Sequence, residues 1–129
     1  MTKDDWLELT VLERKKYNYL DEVLDLSKQM GEALDRGDEV SMQMLLALRG
    51  DPILHLQEVD QTARSRRESL SPQARQRLKE LLEGAQPQEQ GEALFAEQSG
   101  KARRLLERVI ALDKQLSLRM SGKDSFYSK

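Results

Sequence analysis

Few residues of this chain could do acid–base or metal chemistry. His55 is its single histidine, and Asp51 and Glu58 lie within one helical turn of it. A carboxylate-bridged dinuclear metal site on a helical bundle needs two Glu-x-x-His elements, which one histidine cannot supply. Cysteine is absent, so the chain offers neither thiolate ligands nor a cysteine nucleophile. We therefore interpret His55 as a helix-surface residue, and we expect no metal and no cofactor.

The densest cationic segment lies between residues 64 and 79, where Glu68 is the only opposing charge. Its cations are Arg64, Arg66, Arg67, Arg75, Arg77 and Lys79. Clustered guanidinium groups can bind phosphate, but no aromatic residue lies among them to stack on bases. We interpret the segment as a solvated helix end and turn whose cations pair with acidic residues of the first helix. No nucleic-acid partner is expected.

Catalysis by other groups would need a pocket on which charged and hydroxyl side chains converge. The chain has no Gly-rich phosphate-binding loop, and spacing along a helix does not reveal convergence between helices. An enzyme is therefore the least favoured class, and we predict a protein without enzymatic activity.

The composition favours helices as the elements that position these residues. Among 129 residues there are 22 Leu but only 10 Val, Ile and Thr together, and β-branched residues are the ones enriched in strands. The longest strongly apolar uncharged run, residues 40–48, is far shorter than the roughly 20 residues that span a bilayer. The polar, acidic start does not resemble a signal peptide. We expect a cytoplasmic protein without direct membrane insertion.

The hydrophobic periodicity predicts a single all-α domain over residues 1–129. We expect an antiparallel helical hairpin or bundle of long helices with coiled-coil character, together with one shorter helix and a long C-terminal helix. The predicted segments are a helix over 5–36, a kinked helix over 39–68, a short helix over 72–83, a linker over 84–91, a C-terminal helix over 92–120 and a flexible tail over 121–129. Net charge runs from -5 in residues 1–39 to +3 in residues 91–129, which suits pairing of the first helix with the last.

Local signals place the helix ends. Asp4 or Asp5 is expected to cap the first helix, because a carboxylate accepts free N–H groups at that end. Gly37 suits the left-handed position that ends this helix, and Asp38 suits the cap of the next. Ser71-Pro72 opens the short helix.

The second helix contains Gly50-Asp51-Pro52. Because proline lacks an N–H and clashes with the preceding turn, we expect a kink, or a break and restart with Asp51 as the new cap. The predicted inner face of this helix comprises Leu45, Leu48, Leu56, Val59 and Ala63, with Met42, Leu46 and Ile53 beside it. The short helix is expected to turn Ala74, Leu78, Leu81 and Leu82 inward.

The last helix carries a continuous apolar stripe after a loose linker. The stripe comprises Phe95, Ala102, Leu105, Leu106, Val109, Leu112, Leu116 and Met120. An apolar helical face must be buried against something. Either this helix completes an intramolecular bundle, or it docks a helix of a partner protein.

Three stretches of the chain resemble the FlgN-type bacterial flagellar export chaperones. The first is the helix end Glu32-Ala33-Leu34-Asp35-Arg36-Gly37-Asp38, and the second is Leu45-Leu46-Ala47-Leu48-Arg49. The third combines Arg104-Leu105-Leu106-Glu107-Arg108 with Leu116, Met120-Ser121-Gly122 and Tyr127. Together they span most of the chain.

The resemblance implies a cytoplasmic, ATP-independent chaperone that binds hook–filament junction subunits and delivers them to the flagellar export gate. Carried over to matching positions, it nominates Leu105, Leu106, Val109, Leu112 and Leu116 for subunit binding, and Tyr127 for contact with the gate. The alternative is a helical coiled-coil adaptor or structural protein whose stripes close on themselves or on a second copy, so a homodimer stays open. A nucleic-acid-binding regulator that uses residues 64–79 ranks third.

Overall fold

A computed structural model describes residues 1–122 of the chain. Four helices form this part: α1 (Lys3–Arg36), α2 (Glu39–Glu68), α3 (Pro72–Leu82) and α4 (Gln90–Gly122). The predicted all-α fold is confirmed. The long helix α1 packs along both α2 and α4, while the short α3 contacts the first half of α4. Within the described residues, no helix is long and apolar enough to cross a membrane.

The first helix begins earlier than the sequence predicts. Thr2 is its N-cap, and the Thr2 hydroxyl accepts a hydrogen bond from the Asp5 N–H at 3.1 Å. The Asp5 carboxylate in turn accepts from the Thr2 N–H at 2.9 Å. The predicted cap at Asp4 or Asp5 is therefore wrong, because this reciprocal capping box uses the hydroxyl three residues upstream as the cap.

The turn between α1 and α2 follows the prediction. Gly37 adopts the left-handed conformation with φ 68°, and the Asp38 N–H donates to the Ala33 carbonyl at 2.9 Å. Asp38 then caps α2 by accepting from the Ser41 N–H at 3.0 Å. Because the two helices share this short connection, α2 runs back antiparallel along α1.

The second helix continues through Pro52 without a break, so the predicted restart with Asp51 as cap is wrong. Pro52 is buried, and the burial of its ring offsets part of the cost of the hydrogen bond it cannot donate. The i−4 residue, Leu48, is exposed, so water can reach the helix where that bond is missing. The α3 prediction holds, since Ser71 caps it by accepting from the Ala74 N–H.

The core consists of three clusters along α1. The cluster at the hairpin end contains Met30, Ala33, Leu34, Met42, Leu45 and Leu116. The central cluster contains Leu20, Val23, Leu24, Leu105 and Val109. The cluster at the start of α1 contains Trp6, Leu9, Leu78, Leu81 and Phe95. Every cluster joins α1 to α4, so α1 is the axis of the fold.

Three residues predicted to face inward are exposed instead. Leu48 and Ile53 on α2 and Leu82 on α3 keep 53%, 36% and 37% of their surface accessible. For the two α2 residues the reason is the position of α2, which packs mainly on α1 and so is covered on one side. Its buried residues form a narrow line of Met42, Leu45, Pro52 and Val59, narrower than the apolar stripe in its sequence.

Candidate functional site

The five α4 residues nominated for partner binding lie together on the side of α4 that faces α1. Leu105 and Val109 are buried against the central stretch of α1, with Leu106 and Leu112 packed at the edge of the same cluster. Leu116 lies two turns further along, with 1% of its surface exposed, in the cluster at the hairpin end. Intramolecular packing therefore covers most of this face.

The sixth nominated residue, Tyr127, lies outside the described residues. The described part of α4 extends to Gly122, and the nomination of Tyr127 as a gate contact stays a prediction.

The side chain of Arg49 links the three long helices through hydrogen bonds. From α2, its Nη1 donates to the Ser27 hydroxyl of α1 at 3.2 Å and to the Asp113 carboxylate of α4 at 2.7 Å. The Arg49 side chain is 14% exposed and the Asp113 side chain 51% exposed, so solvent still reaches the carboxylate side of this ion pair. Sequence reasoning missed this contact. The sequence indicates this contact only through Ser27, which lies inside the apolar stripe of α1, because a buried hydroxyl needs a hydrogen-bond partner.

A second group of polar contacts, which we term the Arg77–Glu92 clip, holds the start of α4. Arg77 of α3 donates to both carboxylate oxygens of Glu92, at 3.0 Å and 2.6 Å. The same carboxylate accepts from the Gln88 N–H at 2.8 Å. These hydrogen bonds, the one from Arg77 first, lower the pKa of Glu92 below its ordinary range. The clip thereby secures the connection between α3 and α4.

The remaining cations of residues 64–79 are distributed over several partners. Arg66 pairs with Glu8 of α1 at 3.1 Å, as the sequence predicts, whereas Arg64 pairs with Asp60 of its own helix. Arg77, which we grouped with them, pairs across to α4. The segment is thus partly neutralised.

His55 lies at the partly exposed surface of α2. Its Nδ1 lies 3.3 Å from a Glu58 carboxylate oxygen and its Nε2 lies 3.7 Å from one of Asp51. The imidazole stacks on the Tyr19 ring with centroids 4.9 Å apart. Within residues 1–122, no group of three or more His, Cys, Asp or Glu side chains is arranged to hold a metal ion.

Apolar residues remain exposed on the side of α2 away from α1. They recur at spacings of 3, 4 and 7 residues and form what we term the outer α2 face: Val40, Met44, Ala47, Leu48 and Leu54. On α4, Ile110 and Leu118 are likewise 56% and 69% exposed. Ile110 follows Leu106 by one helical turn, so the exposed side of α4 borders the nominated residues.

No protein-family model, curated protein or solved structure matches this chain.

Proposed function

We propose that this chain is a partner-binding export chaperone of the FlgN type, which holds the helical segment of a hook–filament junction subunit in the cytoplasm and delivers it to the flagellar export gate. The three resembling stretches motivate this proposal. The observation that supports it in the structure is the exposed apolar residue Ile110 beside half-buried Leu106. Their spacing of four residues presents one apolar ridge, which is how a helix meets an added helix.

In this proposal the helix of the subunit packs on the outside of the bundle and does not displace α4 from α1. Leu105, Val109 and Leu116 hold α4 on α1, and the partner helix packs on the ridge of Leu106 and Ile110. Tyr127 then contacts the export gate. Burial of the subunit's apolar helix stabilises the complex and prevents its premature assembly.

A titration with candidate hook–filament junction subunits tests the proposal. We expect Ile110→Asp to weaken binding of one subunit at least tenfold, because a charged carboxylate would have to be desolvated in an apolar contact. Leu94→Asp is the matched control, since Leu94 is also exposed on α4 but lies more than four turns away. It should bind like the unmodified chain, and both variants should retain their helical content. Equal binding by all three chains would overturn the proposed ridge.

The second candidate is a helical adaptor or structural protein without an export role. The observation that favours it is the burial of Leu105, Val109 and Leu116 within the chain's own core. Native-state hydrogen exchange over α4 separates the two functions. Protection that rises with one subunit supports the chaperone, whereas protection unchanged by every subunit supports the adaptor.

A further inference from the structure

A basic groove of about 600 Å³ follows the seam between α1 and α4. Its cations are Arg14 of α1 and Lys101, Arg104 and Arg108 of α4, and its remaining lining is Tyr17, Asn18, Gln98 and Leu105. No carboxylate and no α2 residue belongs to this lining. The groove thus lies on the side of the α1–α4 pair that α2 leaves open.

The cations of the groove are poorly neutralised by the chain itself. Lys101 has Glu97 as an exposed partner at 3.6 Å. Within residues 1–122, Arg14, Arg104 and Arg108 form no ion pair. Arg104 and Arg108 are also four residues apart on one helix, a spacing at which like charges repel. This concentration of charge opposes folding slightly, so a role in folding does not account for it.

The other end of the same seam shows the contrast. There Arg119 of α4 pairs with Asp35 of α1 and also donates to the Gly31 carbonyl. One end of the seam therefore satisfies its charge within the chain, and the other end leaves three arginines for an external anion.

We propose that this groove binds an acidic amphipathic helix of a partner protein. Two helices packed side by side leave a groove that a third helix fills, at interaxial distances of about 8–10 Å. Lys101 and Arg108 are seven residues apart, which is about 10.5 Å along the helix. Carboxylates at matching intervals of about two turns on the incoming helix would face both cations. Leu105 and Tyr17 supply an apolar floor beside them.

A helical peptide fits the groove better than a nucleic acid. Base stacking along a single strand uses successive aromatic side chains, and Tyr17 is the one aromatic residue in the lining. This inference goes beyond the proposed function because it concerns another surface. Ile110 is two residues from Arg108 and so points about 160° away from it around α4.

The test uses a fluorescein-labelled 18-residue amphipathic peptide with Glu along one face and Leu beside it, measured by fluorescence anisotropy. We expect the full chain to bind this peptide and not its Glu→Gln counterpart, with affinity that falls as salt rises. The double variant Lys101→Glu, Arg108→Glu should bind at least tenfold more weakly. The control is Arg75→Glu, Lys79→Glu on α3, which reverses two exposed cations outside the groove and should bind within about twofold of the unmodified chain.

Three results would overturn the proposal. The first is an equal loss in both double variants, which would indicate a response to net charge alone. The second is undiminished binding of the Gln peptide or no binding of the Glu peptide. The third is a single-stranded DNA oligonucleotide that binds more tightly than the Glu peptide and loses affinity only in the groove variant, which would assign the groove to nucleic acid. Thermal unfolding of both variants reports whether either has lost its fold.

Discussion

The helices α2 and α4 both pack on α1 and both carry long apolar stripes, yet they use them differently. α4 buries Leu105, Val109 and Leu116 almost completely, whereas α2 leaves Met44 and Leu48 more than half exposed. The apolar stripe in a sequence indicates which side of a helix avoids water. How much of that stripe is covered depends on the number of neighbouring helices, and that number follows from the packing of the whole chain.

The sharpest test of this difference compares two leucines. Leu116→Ala removes a side chain from the closed cluster at the hairpin end, so it should lower the free energy of unfolding by about 2–5 kcal/mol. Leu48→Ala removes an exposed side chain of the outer α2 face and should change it by less than about 0.5 kcal/mol. Urea unfolding followed by circular dichroism measures both. Similar losses in the two variants would mean that α2 is as fully covered as α4.

The clip between Arg77 and Glu92 tests whether α4 also needs polar contacts. Glu92→Gln keeps the shape but removes the charge, and we expect it to lower the free energy of unfolding by about 1–2 kcal/mol at pH 7. The effect is limited because solvent reaches 22% of the Arg77 side chain.

The pH dependence of this variant provides a second measurement. Arg77 lowers the pKa of Glu92 in the folded chain below its ordinary value of 4.5. The stabilisation by the Arg77–Glu92 ion pair is therefore present above pH 4.5. It is lost as the pH falls through the pKa of Glu92 in the folded chain. We expect the difference in the free energy of unfolding between the unmodified chain and Glu92→Gln to shrink below pH 4.5. A difference that stays constant down to pH 3 would assign the loss to packing instead of charge.

The smallest expected effect lies on the α2 side of α1. Glu13 is partly buried in a small pocket with Lys16, Asp60 and Arg67. Burial raises the pKa of Glu13 above its ordinary value of 4.5, although Lys16 and Arg67 oppose that change. The folded chain therefore stabilises the charged carboxylate of Glu13 less than that of Glu92. Protonation of Glu13 makes the folded chain more stable.

Glu13→Gln should accordingly stabilise the chain at pH 7, by up to about 1 kcal/mol. A carboxyl group whose pKa is raised in the folded chain contributes stability that is fully present below pH 4.5. That contribution is lost as the pH rises through the pKa of the folded chain. The gain from Glu13→Gln should therefore vanish at pH 4. Thermal unfolding at both pH values measures it, with Glu8→Gln as a control in an exposed ion pair. A loss of stability at pH 7 would show that Glu13 has a favourable partner.

Features set by local chemistry were predictable from the sequence. Gly37 and Asp38 mark the hairpin turn, and Ser71 marks the start of α3, because each satisfies backbone groups a few residues away. The all-α class follows from the abundance of leucine. At Pro52 the sequence predicts either a kink or a break, and the break is wrong because α2 continues through this residue.

Features that join distant segments were not predictable. Arg49 meets Asp113 across 64 positions of sequence, and no periodicity indicates which carboxylate it finds. The basic groove has the same origin, because Arg14 and Arg108 share it only once α1 and α4 are packed. The candidate site was predicted to the level of a helix face, and its covered and exposed sides required the structure.

The long separation between α1 and its main partner has a consequence during synthesis. Arg119 contacts Asp35 and Gly31 across 84 and 88 positions, so the ribosome must add that many residues before the contact can form. At about 5–20 residues per second, one side of α1 remains uncovered for roughly 4–18 s after it emerges. The hairpin of α1 and α2 can form in that interval because its contacts are local. The nascent chain therefore passes through a two-helix stage whose bare apolar side is open to other binding proteins in the cell.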